Sequence, residues 1–118
     1  MSERTRSFTI TEARIRAYSR RGNYHSDAET ASALGLPGLV AQGTQAFGPA
    51  YALALEQFGD DLLERGEIDV KFVGLVMAGD AVEAHVADTA AGVCTVEVHN
   101  TTSDRTAVIG TITCTEAP

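Results

Sequence analysis

Basic residues are scarce in this chain. Nine Lys and Arg stand against sixteen Asp and Glu, a formal net charge of −7. With no dense Lys/Arg stripe, this balance excludes nucleic acid as a partner, because phosphate backbones are held by clustered cations. Long apolar runs are missing too. No stretch approaches the roughly 20 residues that a membrane helix needs, so no membrane partner is expected. Met1 to Arg6 lack the apolar core of a secretory signal. Cysteine is limited to Cys94 and Cys114, and neither stands in a metal or redox spacing. Both are read as reduced, partly buried thiols of a cytoplasmic protein, with no metal or other cofactor. Repeats, linkers and low-complexity segments are absent.

What is present fits one soluble domain over residues 1–118, with 44% hydrophobic and 21% charged residues. Thr9-x-x-Glu12 has the form of a capping box and predicts a short helix ending near Arg20, with Gly22 just beyond. Ser26-x-x-Glu29 predicts a second helix to about Leu34, stopped by Gly35 and Pro37. Asp27 then falls in its first turn, where the helix dipole favours a carboxylate. Thr44 to Phe58 is helical and hydrophobic nearly all round, so it should be buried. Pro49 is tolerable there only near the helix start or at a kink, and Gly59-Asp60 should end the helix.

The remainder reads as strands. Ile68, Val70 and Phe72 alternate with charged residues, as in a half-buried strand. Ala81 to Ala87 and Val93 to His99 follow the Gly79-Asp80 turn. Thr102-Ser103-Asp104 turns the chain into a last strand, Ala107 to Thr115. The class is α+β: a long central helix wrapped by an antiparallel meander. One copy struggles to cover both faces and the edges of such a sheet, so a homodimer that continues the sheet is expected.

The chemistry-bearing stretch is Arg20-Arg21-Gly22-Asn23-Tyr24-His25-Ser26-Asp27. Gly43, eighteen positions after His25, follows Gln42 at the start of the apolar helix. An imidazole is the commonest proton-transfer group near neutral pH. N–H groups at a helix start stabilise a developing oxyanion. Together they fit chemistry on an activated carbonyl such as a thioester. A solvated turn histidine fits the spacing as well. Arg14, Arg16, Arg20 and Arg21 suit an anionic ligand, or simply a solvated helix face. His85 and His99 fall at strand positions and read as surface or packed residues.

The order of elements resembles the hot-dog fold. More narrowly, Phe8 to Thr115 resembles the MaoC-like (R)-specific enoyl-thioester hydratase/dehydratase family. Its signature is Gly-Asp-x-Asn-Pro-(Leu/Ile)-His-x-Asp, followed by His-Gly at the central helix. His25 matches the histidine, Asp27 the downstream aspartate, and Gln42-Gly43 the His-Gly pair. Val70-Lys71-Phe72, Gly79-Asp80 and Val98-His99-Asn100 resemble the later strands. The family's catalytic aspartate, five residues before the histidine, is Arg20 here; its asparagine is Gly22 and its proline Asn23. Arginine stays protonated and cannot share the acid–base work.

The resemblance implies a lyase acting on an acyl thioester or polyketide-like intermediate, linked to CoA or a carrier protein. His25 would be the acid–base, Gly43 N–H the oxyanion site, and Tyr24, Asp27 or Tyr51 the supporting partner. Arg20, Asn23, Gln42 and Tyr51 would contact substrate. Two other outcomes are consistent with the lost aspartate. One is a repurposed hot-dog isomerase or cyclase using a lone base. The other is a non-catalytic hot-dog subunit.

Overall fold

The first departure from these expectations lies near the amino terminus. In the computed structural model, which describes residues 3–19, 28–36 and 38–114, Glu3–Thr9 form a strand, β1. Thr9 pairs with Ala81 and caps no helix. Thr11 caps helix α1 (Glu12–Tyr18) instead, its Oγ1 accepting from the Arg14 N–H at 3.2 Å. Strand pairing decides here against a local capping pattern. Helix α1 also stops at Tyr18, short of Arg20. Helix α2 (Ala28–Ala33) ends ahead of Gly35, which takes φ 79°. Ser26, Asp27 and Pro37 lie outside the described residues.

Helix α3 (Gly43–Phe58) begins one residue earlier than expected and runs through Pro49. Proline has no N–H to give the Gln45 carbonyl. Its ring is buried, so packing offsets part of that loss. The helix is not enclosed all round. Ala46, Phe47, Ala50, Leu53 and Ala54 are buried, while Leu55 and Glu56 face outward. At Gly59 the chain takes φ 61° and enters a helix the sequence reading missed, α4 (Asp60–Arg65). Asp60 and Asp61 in its first turn and Arg65 in its last oppose the helix dipole favourably.

The strands β2 (Gly66–Phe72), β3 (Ala81–Ala90), β4 (Val93–Asn100) and β5 (Arg105–Cys114) complete one five-stranded sheet in the order β1-β3-β4-β5-β2. Every pairing is antiparallel. The expected meander holds for β3, β4 and β5. β2 departs from it by crossing to the far side of β5, where Gly110 lets the two backbones close up. A Cβ on Gly110 would meet the Asp69 carbonyl oxygen and lie 2.7 Å from Val70 Cα. Val82, Ala84, Val86, Cys94, Val96, Val98, Val108 and Ile112 point to the α3 side and are buried with Ile10 and Ile15.

β2 is not half-buried in the expected way. Val70 is partly covered, but Ile68 and Phe72 are 42% and 52% exposed. This is an edge strand, and the short helix α4 is what packs against it. Among the described residues no helix is long and apolar enough to cross a membrane. Both cysteines are free thiols and buried.

Candidate functional site at the start of the central helix

The start of α3 is fixed by a short backbone ladder. Ala41 N–H donates to Val76 O at 2.8 Å, and Ala78 N–H donates to Leu39 O at 3.0 Å. These bonds flank an antiparallel bridge between Val40 and Met77. Leu39, Val40 and Val76 are buried, so the ladder is anchored in the core. Gln42 then leaves in extended conformation (φ −65°, ψ 147°) as the N-cap, and its side chain makes no capping bond. Its carbonyl takes the first helical bonds, from Gln45 and Ala46 N–H at 3.0 and 3.1 Å. The N–H groups of Gly43 and Thr44, the first two of the helix, take no partner among the described residues. A helix start always leaves such donors over. Here they border a cavity of about 540 Å³ whose walls include Val40, Gln42, Phe72, Leu75, Val76 and Val108.

Two features hold the wall opposite α3. Val73 N–H and Gly74 N–H both donate to Ala107 O, at 2.8 and 3.2 Å. A Cβ on Gly74 would strike the Thr106 carbonyl, so the chain hugs β5 there. Beyond it lies Asn100, the one buried polar residue among the described residues. Its Nδ2 donates to Asp80 Oδ2 at 2.8 Å, and its Oδ1 accepts from Thr102 and Ser103 N–H, both at 3.1 Å. Asp80 Oδ2 accepts in turn from Met77 N–H at 2.9 Å. The pair thus ties the 73–80 connection to the β4–β5 turn. Sequence reading placed Gly79-Asp80 in a turn and Asn100 in a strand but missed their joint role. A polar residue closing a period-2 apolar run is the only signal for it.

Helix α1 abuts the same end of α3. Tyr18 Oη and Thr44 Oγ1 are 2.8 Å apart, and Gln45 Nε2 donates to Arg14 O at 3.0 Å. Ser19 Oγ and Gln45 Oε1 are buried with no partner among the described residues.

Of the residues singled out in the sequence, Gln42 and Gly43 line the cavity. Tyr51 does not. It stands two turns along α3 in edge contact with Phe47, ring centroids 6.2 Å apart. Arg20, Asn23, Tyr24, His25 and Asp27 lie outside the described residues. His85 and His99 are on the outer sheet face, away from α3. His85 bridges Glu3 (2.9 Å) and Glu83 (2.7 Å), and His99 meets Asp104 at 2.9 Å. Hydrogen bonding to Glu3, aided by the charge of Glu83, raises His85 above the ordinary histidine value despite partial burial. Phe72 went unnoticed as a site residue; its place in an alternating strand marked it only as core.

The fold and this helix-start cavity define a hot-dog domain, and the comparisons agree. A family model described as a MaoC-like domain matches residues 2–109, so the chain belongs to the MaoC-like domain family. No curated protein sequence matches it. Among solved structures it is similar to a MaoC-like dehydratase from Phytophthora capsici (19% identity, TM-score 0.81), covering 97% of this chain and 42% of that one. It is also similar to the (R)-hydratase from A. caviae involved in PHA biosynthesis (16% identity, TM-score 0.71), covering 97% and 95%. A third likeness is to the ChsH1-ChsH2 complex from Mycobacterium tuberculosis (16% identity, TM-score 0.70), covering 97% and 96%. The chain therefore spans less than half of the Phytophthora protein, nearly all of the A. caviae hydratase and nearly all of the matched chain of the complex.

Proposed function

We propose that this chain is a hydratase/dehydratase-type lyase acting on an acyl thioester. The carrying observation is the pair of N–H donors at Gly43 and Thr44, which take no partner among the described residues and stand beside a partly apolar cavity. In the hydration direction, His25 takes a proton from water as the water oxygen bonds to C3 of the enoyl group. The double-bond electrons move onto the thioester carbonyl, whose oxygen is held by the Gly43 N–H. Protonation at C2 then gives the 3-hydroxyacyl product. Donors aimed at a developing oxyanion act by electrostatic stabilisation and need no metal. Asp27 or Tyr24 supports the histidine, and Arg20, Asn23 and Gln42 contact the substrate or its carrier. Tyr51, two turns away, acts only if the acyl chain runs along α3. The domain works as a homodimer in the cytoplasm.

The test is hydration of a crotonyl thioester by the purified chain, followed as loss of enoyl absorbance. A positioned acid–base contributes about 10²–10⁴-fold in rate, so His25→Ala should lose roughly that factor while the fold stands. Near-normal turnover in His25→Ala would sink the catalytic assignment.

Arg20 at the family's aspartate position favours a second reading. A lone base beside an oxyanion site suffices for isomerisation or cyclisation, with Arg20 holding an anionic group. A third, a non-catalytic subunit of a two-protein assembly, draws on the likeness to a two-component complex. Arg20→Asp separates the three. A gain in hydration points to a scaffold lacking only that acid, and no activity until a second protein is added points to the subunit.

A further inference from the structure

Gly43 has a second neighbour besides the cavity. A Cβ placed on it would lie 2.6, 2.7 and 2.8 Å from Cγ, Cδ1 and Cδ2 of Phe72. Near-equal distances to three ring atoms mean that the ring lies face-on against the Gly43 Cα. Phe72 reaches this position from the edge strand β2, lines the cavity and is 52% exposed. Any group that brings an oxygen to the Gly43 and Thr44 N–H donors therefore arrives beside the Phe72 ring. The same cavity is lined by Val40, Leu75 and Val108, apolar groups with no donor or acceptor on their side chains.

We infer that Phe72 sets substrate specificity beside the reacting carbonyl: its ring admits a flat, unbranched enoyl group and rejects acyl groups branched at C2. The inference rests on the thioester reading above for what occupies the donors. A carbonyl oxygen held at the helix start places C2 two bonds away, within van der Waals reach of whatever covers Gly43. An unbranched C2 passes beside the ring. A methyl on C2 lies in the enoyl plane and widens the group into the space the ring fills. One methyl in an apolar pocket changes discrimination by roughly 10–200-fold, which sets the expected scale. The same contact explains why residue 43 is glycine for a reason apart from its N–H. Any side chain there must displace the ring.

The experiment measures binding and turnover separately. Binding of butyryl-CoA and 2-methylbutyryl-CoA is followed by calorimetry. Turnover of crotonyl-CoA and 2-methylcrotonyl-CoA is followed in parallel. Wild-type protein should prefer the linear ligand at least tenfold, and Phe72→Ala should narrow the gap to within about twofold. Phe72→Leu, which keeps bulk without the flat face, should fall between. Oligomeric state and thermal unfolding of each variant are recorded, so that lost folding is not taken for lost selectivity. As a check on the contact, Gly43→Ala should lower thermal stability, and adding Phe72→Ala should restore part of it.

An unchanged linear-to-branched ratio in folded Phe72→Ala would overturn the proposal, as would a wild-type protein indifferent to branching. Selective binding without any turnover would sustain the Phe72 assignment and reject the lyase. No binding of either thioester by wild-type protein would reject both.

Discussion

The two edges of the sheet leave different side chains open. The β1 edge carries Glu3, Arg4 and Arg6, and each is engaged: Arg6 pairs with Glu56, Arg4 bonds Gln57, and Glu3 meets His85. Charges on an outer strand discourage another chain from pairing with it. The β2 edge offers Ile68 and Phe72 to solvent, and Val73 and Leu75 extend the patch at 52% and 62% exposure. Glu67, Asp69 and Lys71 alternate with the apolar β2 residues, so one face of this edge is apolar, and an open apolar face is what a second copy would cover. The difference teaches where a second copy would dock. It also places the cavity beside the β2 edge, since Phe72 belongs to both.

The sharpest way to break this comparison is to put a charge on the open edge. With Ile68→Asp, a dimer built through β2 should weaken by at least about 30-fold, the scale of a central interface residue. Sedimentation across the micromolar range reads it. If dimers persist unchanged, the second copy docks elsewhere.

Next in size is Asn100→Ala. It strips the bonds to Asp80, Thr102 and Ser103 that position the 73–80 connection beside β2. Leaving buried partners unsatisfied costs about 1–3 kcal/mol, visible as a lower urea midpoint. A midpoint equal to wild type would mean that water or a shifted loop replaces the asparagine.

At the β1 edge the effects should be small. Arg6→Ala removes an exposed ion pair and should cost no more than about 1 kcal/mol, with assembly untouched. A change in oligomeric state would show that β1 is not the closed edge.

The smallest effect concerns pH. His85 has its affinity for protons raised by Glu3 and Glu83. A raised value in the folded state stabilises fully below the unfolded value of about 6.5 and is lost as pH rises through the folded value. The loss between pH 6 and 8 should be a few tenths of a kcal/mol, as for other surface pairs. His85→Gln should flatten it. An identical pH slope in that variant would assign the titration to other groups.

Much of this architecture was legible in the chain, for physical reasons. The apolar density from Ala46 to Leu55 and the alternation from Val82 to Val98 are strong periodic signals. They located α3 and the inner strands closely. The misreadings arose where tertiary context decides. Thr9 and Thr11 are both competent caps, and only the pairing of Thr9 with Ala81 selects Thr11. Helix α4 is a single turn and a half after a glycine, two leucines among charged residues, too short to show a period. Phe72 looked like core because alternation tells which side a residue faces, not whether anything covers that side. At the site, Gln42 and Gly43 were found by their position before the apolar run. The Gly43–Phe72 contact joins residues 29 positions apart and leaves no local trace.

Cys94 carries a consequence of its own. Its Sγ lies 3.2 Å from Asp88 Oδ1 inside the core, and burial, reinforced by that carboxylate, pushes the thiol up to about 11. At pH 7 only about one molecule in ten thousand then holds a thiolate, the form that oxidants and alkylating reagents attack. The fold itself keeps this sulfur inert. Under oxidative challenge, damage would track local opening between β3 and β4 and not the redox potential of the surroundings, which makes Cys94 a chemical clock for breathing of the sheet.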